Sequence, residues 1–119
     1  MEPRDLRRSQ IWWAWLDPVV GSEQAGRRPV VIVSADELLI ASTVVAVPFT
    51  TSTQHGSAAY RVPLTAERTG LKRDSVALCH QVRVLSVMRL RRRVGQLSSE
   101  DMRAIDAALL YTLGLEDAA

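Results

Sequence analysis

One cysteine, Cys79, in 119 residues leaves no partner for an internal disulfide, so stability must come from packing or association, and a reducing compartment suits the chain. Two separated histidines, His55 and His80, do not make a zinc pattern with that cysteine, and the carboxylates are scattered rather than gathered in a metal-binding run. No P-loop, dinucleotide fingerprint, GxSxG or HExxH occurs. No cofactor and no metal are therefore expected, and a metal-dependent nuclease is disfavoured. Long apolar runs are missing as well. The first ten residues are charged and Ile11 to Leu16 is far too short for a signal h-region or a membrane span, so the expected location is the cytoplasm, with no membrane partner. Repeats, low-complexity tracts and Gly/Ser-rich linkers are absent too, which predicts a single domain over residues 1–119.

What is present is an uneven charge. The net charge is only +2, yet Arg61 to Arg93 holds nine basic residues against Glu67 and Asp74, while the tail from Val94 is acidic overall. A basic segment beside an acidic helix suits phosphate binding on one side or a solvated surface, and charge alone does not separate the two.

The pattern reads as several short strands followed by one helix. Ile11 to Leu16 is aromatic and apolar on both faces, as a central strand is, and Asp17-Pro18 ends it. The loop Val19 to Arg28, with two glycines and several charged or amide side chains, should be exposed. Pro29 opens a second strand, Val30 to Ser34. Asp36 to Ile40 forms a helical turn, and Thr43 to Phe49 is a third strand. A hairpin-type connection through Gln54-His55-Gly56 leads to a strand near Ala58 to Pro63, and Gly70 marks a turn. Ser75 to Leu85 alternates as one strand, with Val76, Leu78, His80, Val82 and Val84 on one face, which predicts a buried structural His80. A strand near Arg91 to Leu97 precedes the helix, which starts at a capping pair, Ser98 with Asp101. Met102, Ile105, Leu109 and Leu113 then recur at helical spacing until Gly114. The expected class is mainly β (α+β): a small bent antiparallel sheet or barrel with a C-terminal helix.

Polar residues at strand ends and in loops are the candidates for chemistry: Glu23, Gln24, Arg27, Arg28, Thr50, Thr51, Ser52, Gln81 and Arg83. Singly, each has an ordinary structural reading, as surface charge, backbone cap or edge residue.

Three ordered segments give the set its meaning. Ile11-Trp12-Trp13, continued by Leu16-Asp17-Pro18-Val19-Val20-Gly21-Ser22-Glu23-Gln24-Ala25-Gly26-Arg27-Arg28-Pro29 and Val30 to Ser34, closely resembles the signature of MazF/PemK toxins. Val47 to Ser52 looks like the second motif of that family, Asp74 to Arg83 like its third, and Leu97 to Leu115 like its terminal helix. Two departures stand out. Ser9-Gln10 occupies the place of a usual glycine and acidic residue, and Trp15 stands where an acidic residue is common; an exposed tryptophan there would extend a base-stacking or partner surface, while its ordinary, favoured reading is one more core or dimer-interface tryptophan.

The resemblance implies an SH3-like, CcdB/PemK-like barrel, a homodimer, and a sequence-specific, metal-independent endoribonuclease. Single-stranded RNA would lie in grooves at the dimer interface, and a cognate antitoxin would bind over the same groove. The 2′-hydroxyl would attack the adjacent phosphorus. By residue-by-residue carry-over, Arg28 and Thr50 would be catalytic, with Glu23 and Gln81 in support. Ser22, Gln24, Arg27, Thr51, Ser52, Gln81 and Arg83 would contact RNA. Arginine suits stabilisation of phosphorane-like charge but, with a pKa above ~12, is a poor base, so the base falls to Glu23, a water or a desolvated arginine. The loop Gly21 to Arg27 would close over RNA, and Trp12 or Trp13 would stack on bases where exposed. One fold serves several functions, so the alternative is a non-nuclease toxin that binds a protein target such as DNA gyrase.

Overall fold

A computed structural model describes residues 5–18, 20, 21, 23, 25–51 and 56–115. The strands are β1 (Gln10–Trp15), β2 (Arg27–Ile32), β3 (Thr43–Thr50), β4 (Arg61–Leu64), β5 (Ser75–Leu78), β6 (Arg83–Ser86) and β7 (Leu90–Gln96). A short helix α1 (Ala66–Thr69) and the terminal helix α2 (Ser99–Thr112) complete the set. All pairings are antiparallel, in the order β4-β5-β3-β2-β1-β7, with β6 also on β3.

The long strand β3 is the hinge of this sheet. On one side it pairs with β2; on the other its first half, Thr43 to Ala46, pairs with β6 and its end, Phe49 and Thr50, with β5. That division corrects the expectation of one continuous strand from Ser75 to Leu85. Phe49 faces Ala77 whereas Ala46 faces Arg83, so three steps along β3 are matched by six along the other segment. The three extra residues form a 3₁₀ turn, Cys79–Gln81, closed by Val82 N–H donating to Cys79 O at 3.2 Å. His80 rides on that turn. It is exposed rather than buried, with its ring centroid 4.2 Å from that of Tyr60, and partial burial followed by the charge of Arg61 lowers its pKa. The expected barrel is also not closed: β4 and β7 end the path unpaired with each other among the described residues.

A sheet bent in this way is covered on both faces, which explains strands apolar at nearly every position. Strand alternation sends Trp12, Ala14, Leu16, Val30, Ile32, Val44 and Ala46 to one core with Leu85 and Leu90. Ile11, Val31, Val47 and Phe49 go to the other, where α2 adds Met102, Ile105 and Ala108. Each fully buried side chain of this size contributes about 1.5–3 kcal/mol. The start of α2 is as expected, since Ser98 Oγ accepts from Asp101 N–H at 3.1 Å, and Gly114 follows its end at φ 69°. Leu113 departs from the expected apolar row: it is the C-cap of the helix and is 57% exposed, while Ala108 takes a buried place. Asp101 itself is buried and receives Arg68 Nη1 from α1 at 2.7 Å. At the other departure, Gln10 is buried and its Oε1 accepts from Trp12 Nε1 at 3.0 Å.

Candidate active site and nucleic-acid interface

The β1–β2 loop is tied at its neck, and the neck delivers two arginines. Leu16 N–H donates to Gly26 O at 2.8 Å and Gly26 N–H to Asp17 Oδ1 at 3.1 Å, with Gly26 at φ 75°. A residue with a side chain rarely adopts that conformation. Arg27 and Arg28 follow immediately as the first residues of β2, and Arg28 Nε donates to Ala25 O at 3.0 Å, which orients its guanidinium. The register of β2 on β3 pairs Val30 with Pro48. Continued two residues past that last pair, it sets Arg28 opposite Thr50.

A second close approach delivers the opposite wall. Gly95 on β7 lies so near α1 that a Cβ there would stand 2.5 Å from Thr69 O, and Gly70, at φ 81°, has Val94 O at 3.2 Å from where its own Cβ would be. Buried Thr69 accepts Leu71 N–H on its Oγ1 at 3.0 Å, fixing the chain that leads to Lys72 and Arg73. The two walls enclose a cleft of about 490 Å³. Arg27, Arg28, Lys72, Arg73 and Arg92 supply its cations, Thr50, Thr51 and Ser75 its hydroxyls, and Trp13, Pro29, Phe49, Leu71 and Val94 its apolar surface. Among the described residues no carboxylate lines it. Five cations around an aromatic floor suit a polyanion with flat apolar groups, which is a description of single-stranded nucleic acid.

Of the residues singled out from the sequence, Arg27, Arg28, Thr50 and Thr51 come together in this cleft. Glu23 does not line it; its Oε1 accepts from Val20 N–H within its own exposed loop. Gln81 lies on the 3₁₀ turn and Arg83 opens β6 against Ala46, also outside the lining, with Arg83 Nη1 buried and no hydrogen-bond partner for it among the described residues. Ser22, Gln24, Ser52 and His55 lie outside the described residues. The stacking candidates divide: Trp12 is core, whereas Trp13 forms part of the cleft. Lys72, Arg73 and Ser75 are not among the candidates that the sequence offers, and Arg92 belongs to the Arg89 to Arg93 run, whose sequence reading divides between RNA contact and a solvated strand face. The signal for the three cations is the basic excess between Arg61 and Arg93, which says that cations are present but not where they converge.

Among the described residues, no three His, Cys, Asp or Glu side chains are placed to hold a metal ion, and no helix is long and apolar enough to cross a membrane. Cys79 is fully buried, and burial, then the charge of Asp106, pushes its thiol up to about 12.

Known proteins match this chain along nearly its whole length. Residues 7–113 match the family described as PemK-like, MazF-like toxins of type II toxin–antitoxin systems. Endoribonuclease EndoA of Bacillus subtilis is 35% identical over 113 residues, 94% of this chain and 97% of that protein. Among solved structures, the Mycobacterium tuberculosis toxin MazF-mt6 superposes with a TM-score of 0.76 at 27% identity, covering 91% of this chain and 99% of that one. An endoribonuclease in complex with its cognate antitoxin, from a mycobacterial species, gives a TM-score of 0.78 at 23% identity, covering 94% and 98%.

Proposed function

The chain belongs to the PemK-like, MazF-like toxins of type II toxin–antitoxin systems, and on that premise we propose that it is an endoribonuclease that cuts single-stranded mRNA at short specific sequences without a metal ion. The observation that carries this reading is the meeting of Arg28 and Thr50 in one cleft whose other polar groups are cations and hydroxyls.

In the proposed reaction the 2′-hydroxyl attacks the adjacent phosphorus, the bond to the 5′-oxygen breaks, and the products carry a 2′,3′-cyclic phosphate and a 5′-hydroxyl. Negative charge builds on the nonbridging oxygens as phosphorus becomes five-coordinate. The Arg28 guanidinium, held by Ala25 O through Nε, presents its fork of donors to that charge. Thr50, on the rigid end of β3, donates its hydroxyl to a nonbridging oxygen and positions the phosphate. Lys72, Arg73 and Arg92 attract and hold the flanking phosphates. The proton of the 2′-hydroxyl leaves to water, and the departing 5′-oxygen takes a proton from water to become the 5′-hydroxyl; Glu23, whose carboxylate accepts from Val20 N–H outside the cleft lining, would serve as base only by leaving that contact.

The same cleft accepts the antitoxin. A cation-lined, partly apolar groove fits an acidic, apolar segment that is disordered when free, and the structural relative solved with its cognate antitoxin supports a partner of this kind. A homodimer belongs to the same reading; exposed Val84 and Met88, on and just after β6, offer apolar surface for it. The expected compartment is the cytoplasm, where mRNA and antitoxin are met.

The chemistry is tested by mapping product ends. Cut RNA should carry 5′-hydroxyls, and a substrate with 2′-deoxyribose at the cut position should stay whole. Cleavage that survives that deoxy substitution would overturn the mechanism.

A further inference from the structure

A second hollow, of about 680 Å³, adjoins the cleft and is lined by Trp13, Ala14, Trp15, Arg27, Arg91 and Arg92. Trp13, Arg27 and Arg92 line both spaces, so the two share a wall. Strand pairing builds the hollow: Trp15 faces Arg27 on β2, and Trp13 lies between Pro29 on β2 and Arg92 on β7. Being two apart on β1, Trp13 and Trp15 present their rings to the same face, separated by roughly 6.6–6.8 Å of strand.

Trp15 differs from its neighbour Trp12, which is 8% exposed in the core; Trp15 is 39% exposed. Its ring is instead covered in part by the Arg27 guanidinium, whose central carbon stands 5.2 Å from the ring centroid. That cation–π contact holds a charged donor at the wall between the two spaces. Arg89 Nη1 donates to Trp15 O at 3.1 Å and fixes the backbone beneath the ring. An exposed indole and three arginines, with no carboxylate among the described residues, make a seat for a base with a phosphate on either side.

We propose that this hollow is a second nucleotide subsite, which seats the nucleotide next to the one held at Arg28 and Thr50. Its base stacks against Trp15, the phosphate joining the two nucleotides lies at Arg27 and Arg92, and the next phosphate lies at Arg91. The proposal rests on the ribonuclease reading for the strand it seats. Its consequence is that this chain gains cutting efficiency from one nucleotide beyond the catalytic cleft.

The test uses Trp15→Ala and Arg91→Gln, both exposed and both outside the catalytic cleft, with melting curves to confirm folding. Wild type and variants are compared on the shortest RNA that is cut and on the same RNA lengthened by one nucleotide at either end. Lengthening at one end should raise kcat/KM of the wild type about ten-fold, on the scale of one base–aromatic stack. Trp15→Ala should lose that gain, its rates on the shortest and the lengthened RNA becoming equal. A second arm measures binding of a fluorescein-labelled 2′-O-methyl RNA of mixed sequence, which cannot be cut. There Trp15→Ala should bind about ten-fold more weakly, and Arg91→Gln should reduce the slope of log affinity on log salt by about 0.7. Equal gains from lengthening in wild type and Trp15→Ala, or unchanged binding of the uncuttable RNA, would overturn the subsite and leave the ribonuclease reading intact. Should the wild type cut no RNA, the ribonuclease reading fails, and the binding arm alone decides whether the hollow takes nucleic acid.

Discussion

Arg28 and Thr50 each lie two residues beyond the last pair of the β2–β3 ladder, Val30 with Pro48, and both line the same cleft. Each is still held on its other side by a strand, Arg28 against Ala14 on β1 and Thr50 against Val76 on β5. One supplies a planar, permanently charged fork, and the other a short hydroxyl on a stiff stem.

Conservative replacements separate those two contributions. Thr50→Ser keeps the hydroxyl and should retain most of the cutting rate, whereas Arg28→Lys keeps the charge but loses the fork and should remain strongly impaired. Single-turnover cleavage rates measure both. A Lys variant as fast as wild type would mean that charge alone is used at that position.

The approach of α1 to β7 is the most demanding contact behind the cleft. A methyl group at Gly95 would meet Thr69 O at 2.5 Å, with backbone rather than a yielding side chain on the other side. Gly95→Ala should therefore destabilise the fold by roughly 1–3 kcal/mol, the usual cost of overpacking, and weaken RNA cutting by displacing Lys72 and Arg73. Urea unfolding and cleavage kinetics check the two effects, and an unchanged midpoint would show that the two segments separate freely.

Cys79 gives a pH-dependent prediction. Its thiol is pushed up to about 12 in the folded chain from 9.0, by burial and then by Asp106. A raised folded pKa means that its contribution to stability is complete below the unfolded value near 9.0 and is lost as pH climbs toward about 12. Stability should thus fall with rising pH above 9.0, and Cys79→Ala should flatten part of that fall; denaturant melts at several alkaline pH values measure it. At neutral pH the native thiol should resist alkylation and react only after unfolding.

Local signals made some elements legible in the sequence and left others hidden. Helix α2 could be read because Ser98, Asp101, Met102 and Ile105 carry cap and periodicity within one short stretch. The strands β1 to β3 announced themselves as apolar on both faces, which is the mark of a sheet buried on both sides. Alternation misled at Cys79–Gln81, where period two runs on through a turn that only the differing registers on β3 require. His80 was misplaced for that reason. Closure of the sheet depends on how far β4 and β7 come round, and no local residue reports it. In the site, Arg28 and Thr50 were legible through motif resemblance. The convergence of Lys72, Arg73 and Arg92 rests on the Gly95–Thr69 approach, a contact between segments distant in sequence.

The measurement that reaches the central claim most directly is incubation of the purified protein with a long single-stranded RNA in EDTA, beside Arg28→Ala and Thr50→Ala. The account predicts discrete cuts by the wild type, with 5′-hydroxyl ends, and a loss in each variant of roughly 10²–10³ in rate, the scale of a single oxyanion donor. Intact RNA with the wild type across many sequences would contradict it and turn attention to a protein target such as gyrase; undiminished cutting by the variants would contradict the assignment of the site.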